Sequence, residues 1–195
     1  MAKPSVDKFF DLLDRSRLVD PEQPAPILRE LKAAAERGST SGGSTHLAQR
    51  LVDAGVITDW QSRKLLEGRH KGFFLGKYKL LEHLQAGGMS NVYLAEHTLM
   101  RRQVALKVLP KNRVNDTSYL ERFHREAEAV ASLNHENIVK AYDVDHEGLN
   151  YYLVMEYVQG RDLQITVNQD GPLEFSKAAD YIRQAAEGLA HAHAS

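Results

Sequence analysis

From Leu84 to Lys107 the chain alternates apolar and polar residues on either side of a glycine pair, Gly87-Gly88. That period of two predicts strand, tight turn, strand, turn, strand. Without a Cβ, Gly87 and Gly88 let backbone amides approach a bulky anion closely. Lys107 closes the third strand after Val104, Ala105 and Leu106. A lysine there points a fixed positive charge back under the glycine turn. Amides above and an ammonium below make a cradle for a polyphosphate.

At these residues the chain resembles the protein kinase family, in particular the eukaryotic-like Ser/Thr kinases of bacteria. That family's glycine loop, Gly-x-Gly-x-x-Gly-x-Val, falls on Gln85, Gly87, Ser90 and Val92, so only the middle glycine is kept. Its Val-Ala-Ile-Lys falls on Val104-Ala105-Leu106-Lys107. Gln85 and Ser90 restrict the turn and are expected to lower nucleotide affinity, with small Ser90 the milder change.

The resemblance implies ATP as ligand, with Lys107 on its α- and β-phosphates and Ala86, Gly87, Gly88, Met89 and Ser90 wrapped over them. A flexible lysine needs a carboxylate to hold it in line. Glu126, in Arg125-Glu126-Ala127, matches the family's helix-C glutamate. It lies one residue off the helical stripe Tyr119, Phe123, Ala127 and Val130, so it can face the sheet edge. Glu128, two residues on, is expected in solvent. Tyr152-Leu-Val-Met-Glu-Tyr-Val158 is similar to the family's hinge. By that likeness Met155 is the gatekeeper, and main-chain groups of Glu156 and Val158 meet the adenine edge. Leu84, Val92 and Ala105 then sandwich the ring. Asp162 stands where the family places a ribose contact, and helix capping is an equal reading of it. His135-Glu-Asn-Ile-Val139 is similar to a structural His-Pro-Asn-Ile-Val. His135 is therefore expected to pack and hydrogen-bond rather than hold a metal. No metal ligand is expected from His191 and His193 either, since two residues apart they sit on different helix faces.

Composition narrows the class. The 195 residues carry a net charge of −1, which gives no reason to expect nucleic acid or an anionic membrane as partner. With no cysteine there is no disulfide, thiolate zinc site or thiol nucleophile. No apolar run reaches a membrane span and the first residues lack a signal core, so a cytoplasmic protein is expected.

Three domains are expected: a helical module over 1–70 with a Gly/Ser linker at 38–45, a kinase small lobe over 76–157, and the start of a large lobe over 158–195. In the module Ser5 caps a helix carrying Val6, Phe9, Phe10 and Leu13. Pro26 opens a second helix, Thr45 precedes a third, and Thr58-Asp-Trp-Gln61 forms a capping box for a fourth. Trp60 is read as a core residue of this bundle. Lys71 to Lys77 joins the module to a strand from Tyr78 to Leu84. Ser118 with Glu121 caps the helix bearing Glu126, strands run over 138–145 and 151–157, and Ser176 caps a long final helix with the stripe Ile182, Ala185, Ala186, Leu189 and His193. The fold class is α+β, a five-stranded antiparallel sheet with one helix, preceded by an all-α segment.

By family the chain is a serine/threonine protein kinase acting on ATP and a protein substrate. Its 195 residues contain no His-Arg-Asp or Asp-Phe-Gly motif. The base and the ligands for Mg2+ are therefore missing, and this half of a kinase is expected to be inactive alone. The alternative is a non-catalytic, kinase-like binding or regulatory module.

Overall fold

The Ser5 hydroxyl accepts the Lys8 N–H and starts helix α1, Val6–Ser16, in this computed structural model. Residues 3–22, 25–37, 42–86, 90–109 and 117–195 are described, with backbone alone at Ala86, Thr117 and Tyr119. Gly87, Gly88 and Met89 therefore lie outside the described residues. Among those described, the helices are α1, α2 (Pro26–Glu36), α3 (Gly43–Asp53), α4 (Asp59–Leu66), α5 (Thr117–Ala131), α6 (Leu163–Asp170) and α7 (Phe175–Ala194). The strands are β1 (Phe74–Leu75), β2 (Tyr78–Ala86), β3 (Asn91–His97), β4 (Gln103–Val108), β5 (Ala141–Glu147) and β6 (Asn150–Glu156). They lie in the order β1-β2-β3-β4-β6-β5.

Contacts divide the chain into two compact units: residues 1–86 with 93–102, and residues 87–92 with 103–195. In the first, the stripes of α1 to α4 converge on a core that includes Phe9, Leu13, Leu31, Leu47, Leu51 and Leu65, all at most 2% exposed. Pro26 stands in the first turn of α2, where its missing N–H costs nothing. The capping box of α4 forms in full: the Thr58 hydroxyl accepts from the Gln61 amide, and the Gln61 side chain accepts from the Thr58 N–H. The same two residues reach the sheet. Gln61 Nε2 donates to the Leu80 carbonyl at 2.6 Å and Thr58 Oγ1 to the Leu81 carbonyl at 2.5 Å. A fully buried glutamine is tolerated because each end has a partner.

In the second unit β6 pairs antiparallel with β4, setting Ala105 opposite Met155 and Lys107 opposite Leu153. On its other side β6 pairs with β5, which carries an irregularity between Ala141 and Asp143. Leu109, Phe123, Ala127 and Leu153 form the core there, with Leu120, Val144 and Met155 against it.

Several expectations need correction. β1 adds a sixth strand inside the Lys71–Lys77 joining segment, because Phe74 and Leu75 pair with Lys79 and Tyr78. Gly43, Ser44 and Thr45, expected in the linker, form the first turn of α3, and the Ser44 hydroxyl donates to the Pro4 carbonyl at 2.7 Å. Ser118 lies inside α5 rather than ahead of it. β5 starts at Ala141, three residues later than expected, because the Ile138 N–H turns back to the His135 carbonyl. Glu174, not Ser176, caps α7: its carboxylate accepts the N–H groups of Ser176 and Lys177 and the Ser176 hydroxyl. Those bonds hold the Glu174 carboxyl below its usual range, the Ser176 side chain having the largest effect. No helix among the described residues is long and apolar enough to cross a membrane.

Candidate functional site

Lys107 and Glu126 meet. On β4, Ala105 and Lys107 are two residues apart and share a sheet face. Val104, Ala105 and Leu106 are buried, which fixes the strand that carries the lysine. On α5, Phe123 and Ala127 dock into the core, and Glu126, one position before Ala127, stands at the border of that buried stripe. The Lys107 ammonium donates to Glu126 Oε1, with side chains 25% and 52% exposed. Glu128 is exposed, as expected.

The segment expected to form the hinge lies in the same unit. Met155 is half-buried and packed against the core around Phe123. The Glu156 N–H is already donated to the Lys140 carbonyl at 2.8 Å. Val158 lies past the end of β6 and is 63% exposed. Asp162 caps α6, its Oδ1 accepting the Ile165 N–H at 2.7 Å, so one of its two oxygens is committed to that turn. Ser90 and Val92 are half-buried at the start of β3. Leu84, 42% exposed, and Gln85, also exposed, lie on β2 in the first unit. At Ala86 the strand ends.

His135 packs and bonds in the way its position suggests. Its ring lies 5.1 Å from the ring of His191, and its Nδ1 accepts the Asn137 N–H at 3.1 Å. Among the described residues no group of three or more His, Asp or Glu side chains is placed to hold a metal ion.

A family model for the protein kinase domain matches residues 78–195. The chain belongs to the protein kinase family. Among its relatives is the serine/threonine-protein kinase PrkC of Bacillus subtilis (strain 168), 43% identical over 118 residues, which are 60% of this chain and 18% of PrkC. Another is the serine/threonine-protein kinase PknB of Mycobacterium tuberculosis (strain ATCC 25177 / H37Ra), 40% identical over 121 residues, 60% of this chain and 19% of PknB. The chain thus spans about a fifth of the length of the curated relatives it matches. In fold it matches the crystal structure of the M. tuberculosis PknI kinase domain, with a TM-score of 0.54 at 28% identity over 63% of this chain and 49% of that one. The α+β sheet-and-helix architecture implied by the kinase resemblance is the one that this kinase structure shares. Residues 1–77 lie outside the matched family model.

Proposed function

We propose that this chain carries the ATP-binding part of a serine/threonine protein kinase, with Glu126 holding Lys107 on the α- and β-phosphates. The contact between those two side chains supports the reading. Ion pairs such as Lys8–Asp11 or Arg183–Asp180 join neighbours on one helix turn and follow from helix geometry alone. Lys107 and Glu126 are 19 residues apart on a strand and a helix, and a half-exposed pair of that kind adds little stability. What it does supply is a charge held in place, and phosphoryl transfer depends chiefly on positioned charge. In this reading Met155 is the gatekeeper, Val92 and Ala105 give apolar walls, and the adenine edge meets the Val158 amide and the Glu156 carbonyl. Asp162 keeps one free oxygen for a ribose hydroxyl. For Mg2+ the described residues offer no ready set of ligands. Protein Ser/Thr substrates belong to the reading through the relatives named above.

Titration with a fluorescent ATP analogue tests it. Saturable binding is expected, weakened about tenfold or more by Lys107→Met and by Glu126→Gln, each of which removes charge-assisted contacts. Affinity in both variants unchanged from the parent chain, with unchanged circular dichroism, would overturn the reading. Because these residues carry no His-Arg-Asp or Asp-Phe-Gly motif, no transfer from radiolabelled ATP is expected; turnover that Lys107→Met abolishes would contradict that.

A further inference from the structure

A cavity of about 340 Å³ opens in the first unit, and none of its lining residues belongs to the nucleotide site proposed above. Its wall is aromatic. Trp60, on α4, meets Phe73 edge-on with ring centroids 5.9 Å apart and meets Tyr93 in the same way at 5.9 Å. Tyr93 in turn lies against the His83 ring at 4.7 Å and a tilt of 34°, so β2 and β3 extend the aromatic wall. Beside the wall stand three cations, Lys64 from α4 and Arg69 and Lys71 from the segment that leads to β1, with Gly72 next to them.

The charge there is only partly compensated. Lys64 and Arg69 share one carboxylate, Glu67, at 3.0 and 3.4 Å. Lys71 is exposed and has no carboxylate partner among the described residues. A surplus of positive charge beside aromatic rings selects for an anion with a flat body, since the rings take up apolar area and the cations satisfy the charge. Burial raises the Tyr93 phenol, and the nearby Arg69 charge opposes that rise, so its hydroxyl stays protonated at neutral pH and can donate. The volume sits at the low end of the roughly 300–1,000 Å³ usual for small-molecule sites, which fits a ligand built from one ring system and one phosphate.

The site is also held in place. α4 is pinned to β2 by the Gln61 and Thr58 bonds to the Leu80 and Leu81 carbonyls, so Trp60 is carried on a fixed element. We propose that this cavity binds a small phosphomonoester joined to a planar aromatic ring, the ring on Tyr93 and His83 and the phosphate among Lys64, Arg69 and Lys71. Two sources share that chemistry: a free nucleoside monophosphate and a phosphotyrosyl side chain of a peptide.

Trp60 is the chain's one tryptophan, so its emission reports on this cavity alone. The 195-residue chain is titrated with AMP, a short phosphotyrosyl peptide, adenosine and inorganic phosphate, and again as its Lys107→Met variant, so that a contribution from the proposed nucleotide site shows as a difference between the two. The expected result is a saturable change with AMP or the peptide below about 1 mM, and which of the two it is identifies the source. Adenosine and inorganic phosphate should each bind at least about tenfold more weakly, because each lacks one half of the ligand. Arg69→Ala and Lys71→Ala, both at exposed positions that the fold does not need, should each weaken binding about tenfold. Absence of a saturable change with both ring-bearing phosphates would overturn the proposal. Binding that both variants leave unaltered, or that inorganic phosphate matches, would do the same. Loss of ATP-analogue binding with this signal intact would count against the kinase reading only.

Discussion

Helices α1 to α4 and the late helices α6 and α7 meet opposite fates, although α7 is written in the same amphipathic code as the first four. In the first group each stripe is buried, down to Leu13, Leu51 and Leu65 at 0% exposure. In the second, α6 buries nothing and α7 buries only Gly188, leaving Phe175 at 88%, Ile182 at 68% and Leu189 at 59% exposed. Periodicity states which face is apolar; it does not state whether a partner exists to cover it. The part of α7 that does make contact is not the predicted stripe. It is the Gly188 face, where Glu187 accepts from the Asn137 side chain and the His191 ring lies tilted against His135.

The largest test of that contrast is a pair of truncations. Leu51→Ala should cost about 2–5 kcal/mol, as removal of a fully enclosed leucine does, whereas Ile182→Ala should stay within about 0.5 kcal/mol. Urea unfolding followed by circular dichroism measures both. Equal losses would mean that α7 is covered as fully as α3, and the contrast would fall.

Gln61 provides the next test, because the first helices are fixed by polar bonds as well as by apolar area. Gln61→Leu keeps volume but leaves the Leu80 carbonyl and the Thr58 N–H without their partners. A loss of about 1–3 kcal/mol is expected from those two desolvated groups. At the other end of the chain Glu174→Gln should weaken the α7 cap and little else, since that cap is open to solvent. A cost at Gln61 no greater than at Glu174 would show that the bonds to β2 do not hold α4.

Much of this was legible in the sequence, and the failures have physical causes. The Ser5 cap, the Thr58–Gln61 box, Pro26 at a helix start and the Lys107–Glu126 contact all rest on short-range rules or on a motif order that the chain preserves. β1 escaped because two residues carry no periodicity, and only the partner strand defines them. The α7 cap was misplaced because Ser and Thr were weighed as caps and a glutamate two residues earlier was not. For Asp162 the sequence left a ribose contact and a helix cap open as equal readings; the structure shows one of its oxygens already bonded to the Ile165 N–H. The aromatic and cationic cavity was invisible for another reason. Trp60, Tyr93 and Lys71 come from three separate segments, and only the folded chain brings them to one cavity.

The same contrast predicts opposite pH sensitivities. Tyr93 has its phenol raised by burial, so above about pH 10 the unfolded chain ionises that group while the folded one resists. Stability should fall through that range, and Tyr93→Phe should flatten the slope in alkaline urea titrations. Glu174 has its carboxyl lowered by the Ser176 hydroxyl and by α7 amides. The stability it adds is therefore present above the ordinary 4.5 and is lost as pH falls below it. Helicity of α7 should fray on acidification, and Glu174→Gln should remove that dependence. An alkaline slope unchanged in Tyr93→Phe would separate β3 from the effect.

The smallest expected effect asks how firmly α7 is held. A Cβ on Gly188 would meet the Asn137 carbonyl oxygen and Ile138 Cγ1, each at 3.3 Å, so the neighbours must yield by a few tenths of an ångström. Against that, alanine is favoured over glycine inside a helix by about 0.8–1 kcal/mol. If the apolar face of α7 is as free as its exposure indicates, the helix can shift by that distance at little cost. Gly188→Ala should then change stability by less than about 0.5 kcal/mol, with propensity and crowding nearly cancelling. Gly188→Leu cannot be accommodated by so small a shift and should speed hydrogen exchange along α7 while leaving α1 to α4 unchanged. A loss above about 1.5 kcal/mol for the alanine variant would place α7 among the tightly packed helices, because only a rigid neighbour turns one methyl group into that penalty.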